Sequence, residues 1–389
     1  MRSPVSQEVY ILSAARTPIG SFQGALKTKS APELGAHAIR AALDAVDLSG
    51  DDVDEVFIGN VVSAGLKQAP ARQAMRMAGL PDAVGATTVN KVCGSGMKTT
   101  MLAADLIRAG SAEIVVCGGM ESMTNTPYLN AKVRSGARMG HMELKDSMFF
   151  DGLEDAETGM AMGTFAQGTA DEYQLTREAM DAYAIESVTR ARHAIEAGTL
   201  ADEISPMEIG GELVTDDEQP GRARLGKIPQ LRPAFKADGT ITAANSSSIS
   251  DGASALVISS QAGLAGRAPL ARIAGHTTFS RHPSEFTIAP VGAINTLLDK
   301  LGWSVDEVDL FEINEAFAMV TMLAIQECGL DPERVNIYGG ACAQGHPIGS
   351  TGSRLLVTLA HAMQRNDLQR GIAALCIGGG EATAVALQR

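Results

Sequence analysis

Apolar and polar positions follow two rhythms along this chain. Short Val/Ile-rich runs at 9–13, 53–60, 113–119, 308–314 and 373–380 have the length and composition of buried strands. Between them lie stretches with the helical period, at 31–44, 97–107, 176–197 and 353–363. Strands alternating with helices predict an α/β fold with mostly parallel sheets. In the long amphipathic stretch, Thr176 is placed to cap a helix that has Glu178 in its first turn, and Gly198 is placed to end it.

The two ends of the chain repeat each other. VDEVFIGN (53–60) is echoed by VDLFEIN (308–314), and Val89-Asn90 by Val335-Asn336. EIVVCGG (113–119) is echoed by AALCIGGG (373–380). Three matches in one order predict an internal duplication of roughly a hundred residues. This divides the chain into an N-terminal half at 1–120, an inserted loop domain at 121–245 and a remainder at 246–389. In that remainder about 246–268 completes the first half and about 269–389 forms the second. The insert carries a polar, methionine-rich passage at 139–152 and is expected to serve specificity or subunit contacts.

Composition narrows the function classes. A chain of 389 residues with 45% apolar content can bury a large core, and 41 glycines with only 4% aromatic residues suggest close packing with many turns. The net charge of -13 argues against a general nucleic-acid or anionic-membrane surface, while leaving room for a local cationic patch. No run of 18 apolar residues is present, so no membrane span is expected. The opening MRSPVSQE has no apolar signal core, and the five scattered cysteines suit a reducing compartment, so a cytoplasmic protein is expected. None of the cysteines has zinc-like spacing, and no metal is expected.

Four motifs carry candidate chemistry. Cys93, in VNKVCGSG (89–96), falls at a strand-to-helix turn among backbone N–H groups, a placement that favours a thiolate. His346, in GGACAQGHPIGSTG (339–352), holds a similar turn in the second repeat, so the duplication would set the two residues face to face. The glycines of CIGGGE (376–381) can open N–H groups toward an oxyanion. Asn314, in NEAF (314–317), is an amide at a strand-to-helix junction, able to hold a water or the histidine. Read singly, these are a buried thiol, a turn histidine, a strand cysteine at Cys376 and a helix cap. Their shared place at glycine turns and element boundaries argues for one site.

Together the motifs closely resemble those of the thiolase family, and the resemblance covers essentially the whole chain, including AARTPIGSF (14–22) and DGASAL (251–256). It implies a duplicated, layered αβαβα fold with two mixed sheets and a shared central helical layer. It also implies that Cys93 is the acylated nucleophile, His346 the base that activates it, and Cys376 the acid/base at the α-carbon of acetyl-CoA. Asn314 would hold a water that forms one oxyanion site with His346, and the N–H groups of Cys93 and Gly378 would form the other. Coenzyme A and acyl-CoA would be substrates, with no tightly bound cofactor. The resemblance implies CoA contacts from Ser247 and Leu153 and from the basic group Arg222, Arg224 and Lys227, and an acyl pocket of Met162, Phe286 and Phe317.

The stretches VRSGARMG (133–140) and DGL (151–153) look like those of short-chain members handling acetoacetyl-CoA. Ala161 stands where many such members have histidine, and Phe286 where many have methionine. The expected reaction is reversible Claisen condensation of two acetyl-CoA, the alternative being broader 3-ketoacyl-CoA cleavage in fatty-acid or related acyl-CoA degradation. A homodimer or homotetramer is implied. Related condensing enzymes commonly use two histidines or a His/Glu arrangement for decarboxylation or condensation where Cys376 stands here, and a degenerate carrier or lipid-binding homologue would lack Cys93, His346 or Cys376.

Overall fold

A computed structural model describes residues 7–389, so the segment 1–6, within the stretch read above for a signal, lies outside the described residues. The first half contributes β1 (Val9–Arg16), β2 (Glu55–Gly59), β3 (Gly85–Val89), β4 (Ile114–Ser122) and β5 (Ser250–Ser260). The second contributes β6 (Ala271–Ser280), β7 (Leu310–Ile313), β8 (Arg370–Ile377) and β9 (Glu381–Gln388). Their spatial order is β7-β8-β9-β6-β1-β5-β4-β2-β3, and a two-residue strand at Gly20–Ser21 also pairs with β5.

The sequence repeat is a repeat of sheet order. β1 pairs antiparallel with β5 as β6 does with β9, and β5 pairs antiparallel with β4 as β9 does with β8. β4 pairs parallel with β2 as β8 does with β7. Even the parallel β2–β3 ladder has a counterpart, a single bridge from Phe311 to Val335. The halves meet at β1 and β6, where Tyr10 pairs with Arg272 and Ile11 with Ala271, and this short ladder runs the two expected sheets into one of ten strands.

The expectation of mostly parallel pairing needs correction. The chain leaves the sheet at Ser122 and re-enters at Ser250, so β5 returns antiparallel beside β4 after the insert. In the second half β8 and β9 form a tight hairpin across residues 378–380. Antiparallel neighbours need no crossover helix, and the strand-helix rhythm could not reveal a return made after so long an excursion.

Layering follows from which strand residues face which way. Val56, Ile58, Val116 and Val257 pack outward under α1 (Ala31–Asp44) and α2 (Pro70–Met77). Val115, Cys117 and Leu256 pack inward on α3 (Ser95–Arg108). The insert adds α4 (Met162–Glu172) and α5 (Arg177–Glu196), where the Thr176 hydroxyl caps α5 by accepting from Ala179 N at 3.2 Å and Gly198 follows its end with φ +68°. In the second half Phe311, Ile313 and Ile372 face α6 (Ala289–Leu301) and α7 (Ala318–Cys328). Ala373, Leu375 and Val385 face α8 (Thr351–Arg365). Strands buried on both faces have no polar side, which is why they read as unbroken apolar runs.

α3 and α8 form the central layer, packing Met97 and Met101 against Leu355, Leu356 and Leu359. Near their N-termini they approach backbone to backbone: a Cβ on Gly352 would lie 2.4 Å from Met97 N, and one on Gly96 would lie 2.5 Å from Ser353 Oγ. The turns preceding the two helices, which carry Cys93 and His346, are therefore brought together. Among the described residues no helix is long and apolar enough to cross a membrane.

Candidate active site

Cys93 sits between β3 and α3 in a turn fixed by its neighbours. Ser95 Oγ accepts from Lys91 N at 2.8 Å and donates to Val92 O at 2.6 Å, and Val92 takes φ +47°. A β-branched residue in the left-handed region is costly, and its occurrence beside a thiol marks a turn held by its surroundings. The thiol faces the N–H of Gly378, in the β8–β9 hairpin turn, and its own N–H. Both pull its pKa down, yet burial prevails and pushes it up to about 11. The sequence expectation of a favoured thiolate is thereby corrected, because desolvation of the charged sulfur outweighs the donors at the helix entrance.

His346 lies in the turn before α8, with its N–H on Ser248 O at 3.0 Å. Its Nδ1 is 2.6 Å from Thr351 Oγ1, which in turn lies 3.1 Å from Pro347 O. A hydroxyl with one proton can donate to the carbonyl only if it accepts from the ring, so this chain assigns the proton to Nδ1. Nε2 is left as the lone-pair nitrogen, without a protein partner. Burial and the nearby Arg354 guanidinium lower the imidazole pKa to about 3. The resting pair is therefore a neutral thiol and a neutral imidazole.

A pH prediction follows. If His346 acts as the base that the family resemblance implies, its active form is the unprotonated one, and with a pKa of about 3 lowering pH through the ordinary histidine range does not remove it. Acetylation of Cys93 by acetyl-CoA should lack an acid limb between about pH 5 and about pH 8. A rate profile falling with an apparent pKa near 6.5 would contradict this arrangement.

Cys376, at the end of β8, is fully buried. Its pKa lies well above the ordinary thiol value, chiefly through burial and secondly through the charge that Cys93 would carry. Asn314 follows β7, with its N–H on Ala374 O at 3.0 Å; its buried side-chain amide has no protein partner at either end among the described residues.

Cys93, His346 and Gly378 line one cavity of about 250 Å³, together with Ser247, Leu153, Met162, Phe286 and Phe317. Phe317 stacks edge-on to Phe286 at 6.4 Å and to Phe235 at 6.2 Å between centroids. Cys376 packs behind this wall with Phe286, Ala316 and Phe317. Arg222, Arg224 and Lys227 are exposed and do not line the cavity, and Arg222 pairs with Glu218 at 2.7 Å. Sequence reasoning missed Phe235, Phe149, Met123 and Ile348, all in the cavity wall. In a chain with few aromatics, Phe235 within a polar stretch of the insert was the available signal.

Models of the thiolase N-terminal and C-terminal domains match residues 9–262 and 267–389. An acetyl-CoA acetyltransferase of Schizosaccharomyces pombe is 48% identical, covering 99% of this chain and 100% of that protein. One of Pseudomonas aeruginosa is also 48% identical, over 98% of this chain and 100% of that protein. Among solved structures, a thiolase from Ascaris suum in complex with coenzyme A is 41% identical with a TM-score of 0.94, covering 98% of this chain and 100% of that one.

Proposed function

This chain belongs to the thiolase family, and from that premise we propose that it is an acetyl-CoA C-acetyltransferase, joining two acetyl-CoA into acetoacetyl-CoA and CoA reversibly. The observation that carries the reading is the single cavity lined by a thiol, an unpartnered imidazole nitrogen and an aromatic-walled pocket.

In the cleavage direction, Cys93 Sγ gives its proton to His346 Nε2 and bonds to the 3-keto carbon of the substrate. The C2–C3 bond then breaks, the acyl group stays on Cys93, and the departing acetyl-CoA enolate takes a proton at C2 from Cys376. His346 then yields its proton to the Cys376 thiolate, accepts the proton of the CoA thiol as CoA takes the acyl group, and returns it to the freed Cys93 sulfur. Synthesis runs the same steps backwards, with Cys376 deprotonating the second acetyl-CoA. Two-stage exchange through an acyl-cysteine gives ping-pong kinetics.

Oxyanion stabilisation is supported at two places. The N–H groups of Cys93 and Gly378 converge on the thiol, and Asn314 has a free amide with which to hold a water beside His346. Coenzyme A is a substrate here, with no tightly bound cofactor. Its phosphates are separated from its thiol by the whole pantetheine arm, so cations outside the acyl cavity suit them. Arg224 and Lys227, with no ion pair among the described residues, are the proposed partners, with Arg222 beside them. Ser247 and Leu153 line the way in.

The walls formed by Met162, Phe286, Phe317 and Phe235 favour a short acyl group. Thiolysis of 3-ketoacyl-CoA substrates of increasing length, with a 2-methyl branch included, should show kcat/KM falling about tenfold or more beyond the shortest chains. A flat or rising series would favour the broader 3-ketoacyl-CoA thiolase, for which Ala161, a small residue on the cavity wall, is the specific observation.

The insert at 121–245 is assigned to CoA and subunit contacts. Val133, Met139, Met142 and Leu144 are large apolar residues left exposed on it, which supports a homodimer or homotetramer. The chemistry needs both Cys93 and Cys376 as free thiols, and all five cysteines are unpaired, which supports the reducing cytoplasm.

A further inference from the structure

Two buried carboxylates are not used by this chemistry, and both grip the segment that carries His346. Glu121, at the end of β4, is 0% exposed. It accepts from Gly349 N at 2.9 Å, Val61 N at 3.0 Å, Val62 N at 3.3 Å and Asn60 Nδ2 at 2.6 Å. Glu315, just beyond β7, is 1% exposed. It accepts from Cys342 N at 3.0 Å, Ser187 Oγ at 2.7 Å, Asn336 Nδ2 at 3.0 Å and the Tyr183 hydroxyl at 3.1 Å. Neither carboxylate forms an ion pair among the described residues; each meets four N–H or O–H donors instead. A buried carboxylate with every partner a donor is costly to place and rigid once placed.

The two sit at opposite ends of one turn. Glu315 holds Cys342, four residues before His346, and Glu121 holds Gly349, three residues after it. The fit at each end admits nothing larger: a Cβ on Gly349 would lie 2.6 Å from Glu121 Oε2, and one on Gly340 would lie 2.3 Å from the Glu315 carboxyl carbon. Glu121 comes from the same half as Cys93, whereas Glu315 adjoins Asn314 just beyond β7 in the other half. The turn is thus referenced to both halves of the duplicated sheet, across which the thiol and the imidazole must register.

We propose that Glu121 and Glu315 are positioning residues, suspending the 342–349 turn between the halves so that His346 Nε2 is held against Cys93. The proposal rests on the reading of His346 as the base for Cys93. Neither carboxylate touches substrate. Their effect passes through the backbone N–H groups of Gly349 and Cys342 to the imidazole, where displacement by a fraction of an ångström is felt in rate rather than in substrate binding.

Glu121→Gln keeps the shape but turns an amide N–H₂ toward N–H donors, and Glu315→Gln does the same at the other end. The expected result for either is a fall in kcat for acetoacetyl-CoA thiolysis of about 10- to 100-fold with KM within about twofold. Cys93 acetylation, followed by mass, should slow in parallel. Leu34→Ala, in the outer helical layer, is the control for lost stability and should keep kcat when its melting temperature falls by a similar amount. The proposal is overturned if the Gln variants lose no more kcat than Leu34→Ala, or if KM rises as far as kcat falls. Should Glu121→Gln fail to fold, Asn60→Ala decides: it leaves the carboxylate and removes one of its donors, and kcat should drop about 3- to 10-fold. An unchanged kcat there overturns the proposal. His346→Ala run alongside separates the two readings. Acetylation of Cys93 that survives it removes the base and the clamp together. Acetylation lost in His346→Ala but unaltered in the Gln variants removes the clamp alone.

Discussion

Cys93→Ala is expected to lower kcat about 10⁴- to 10⁶-fold in both directions while leaving CoA affinity within about twofold. The expectation comes from how few nucleophiles reach the cavity. Of the five cysteines only Cys93 lines it; Cys376 is packed behind the aromatic wall and Cys117 lies in the central core. The thiol also faces the Gly378 N–H and shares its cavity with the unpartnered Nε2 of His346. Truncation removes one sulfur from a partly buried site next to Val92, so folding should be little affected. Brief exposure of the unaltered protein to acetyl-CoA should add one acetyl group to the peptide bearing Cys93, and the variant should show none. An adduct on Cys342 or Cys328, or retention of a tenth of the activity, would remove Cys93 from its role.

Much of this site was legible because it is built on local patterns repeated at a distance. The paired motifs 53–60 and 308–314 become β2 and β7, which occupy matching places in the two halves. The glycine turns at 93 and 346 become the entrances of the two central helices. A duplication read along the chain therefore predicts a meeting in space, with Gly96 and Gly352 permitting the close crossing.

What stayed hidden depends on long-range placement. The antiparallel return of β5 follows an insert of more than a hundred residues and leaves no local periodic trace. Phe235 reaches the cavity from that insert by an irregular path. The basic group at 222–227 lies outside the acyl cavity, with Arg222 paired to Glu218, a placement that composition does not give. The protonation state of Cys93 is not legible in sequence, because the turn is visible there while the extent of burial is not. A neutral thiol beside a neutral imidazole is a consequence of packing, with Arg354 on α8 adding its repulsion to any charge on His346.

Cys376→Ser should separate the two halves of the reaction. On the proposed mechanism, acyl exchange through Cys93 needs the thiol, His346 and the N–H groups of Cys93 and Gly378, all residues of the cavity wall. Breaking or making the carbon-carbon bond needs one further group to hand a proton to the α-carbon or take it away. Cys376 is an ionisable side chain close enough to feel the charge on Cys93, and burial holds its pKa well above that of a free thiol. It is therefore protonated at rest, ready to donate to an enolate, and a strong base once deprotonated. A serine hydroxyl fills nearly the same space but is a far weaker acid. The variant should lose about 10²- to 10⁴-fold in condensation and thiolysis, the usual range for a positioned acid/base. Exchange of labelled CoA into acetyl-CoA should stay within about tenfold, since that half-reaction passes only through Cys93. Solvent deuterium incorporation at the acetyl methyl group should fall with condensation, because it reports the same proton transfer without any bond to the second carbon. Equal losses in exchange and condensation would mean that Cys376 supports the fold of the hairpin at Gly378 instead of moving the proton. Deuterium incorporation at the unaltered rate would assign that proton to another group, of which His346 is the one within the cavity.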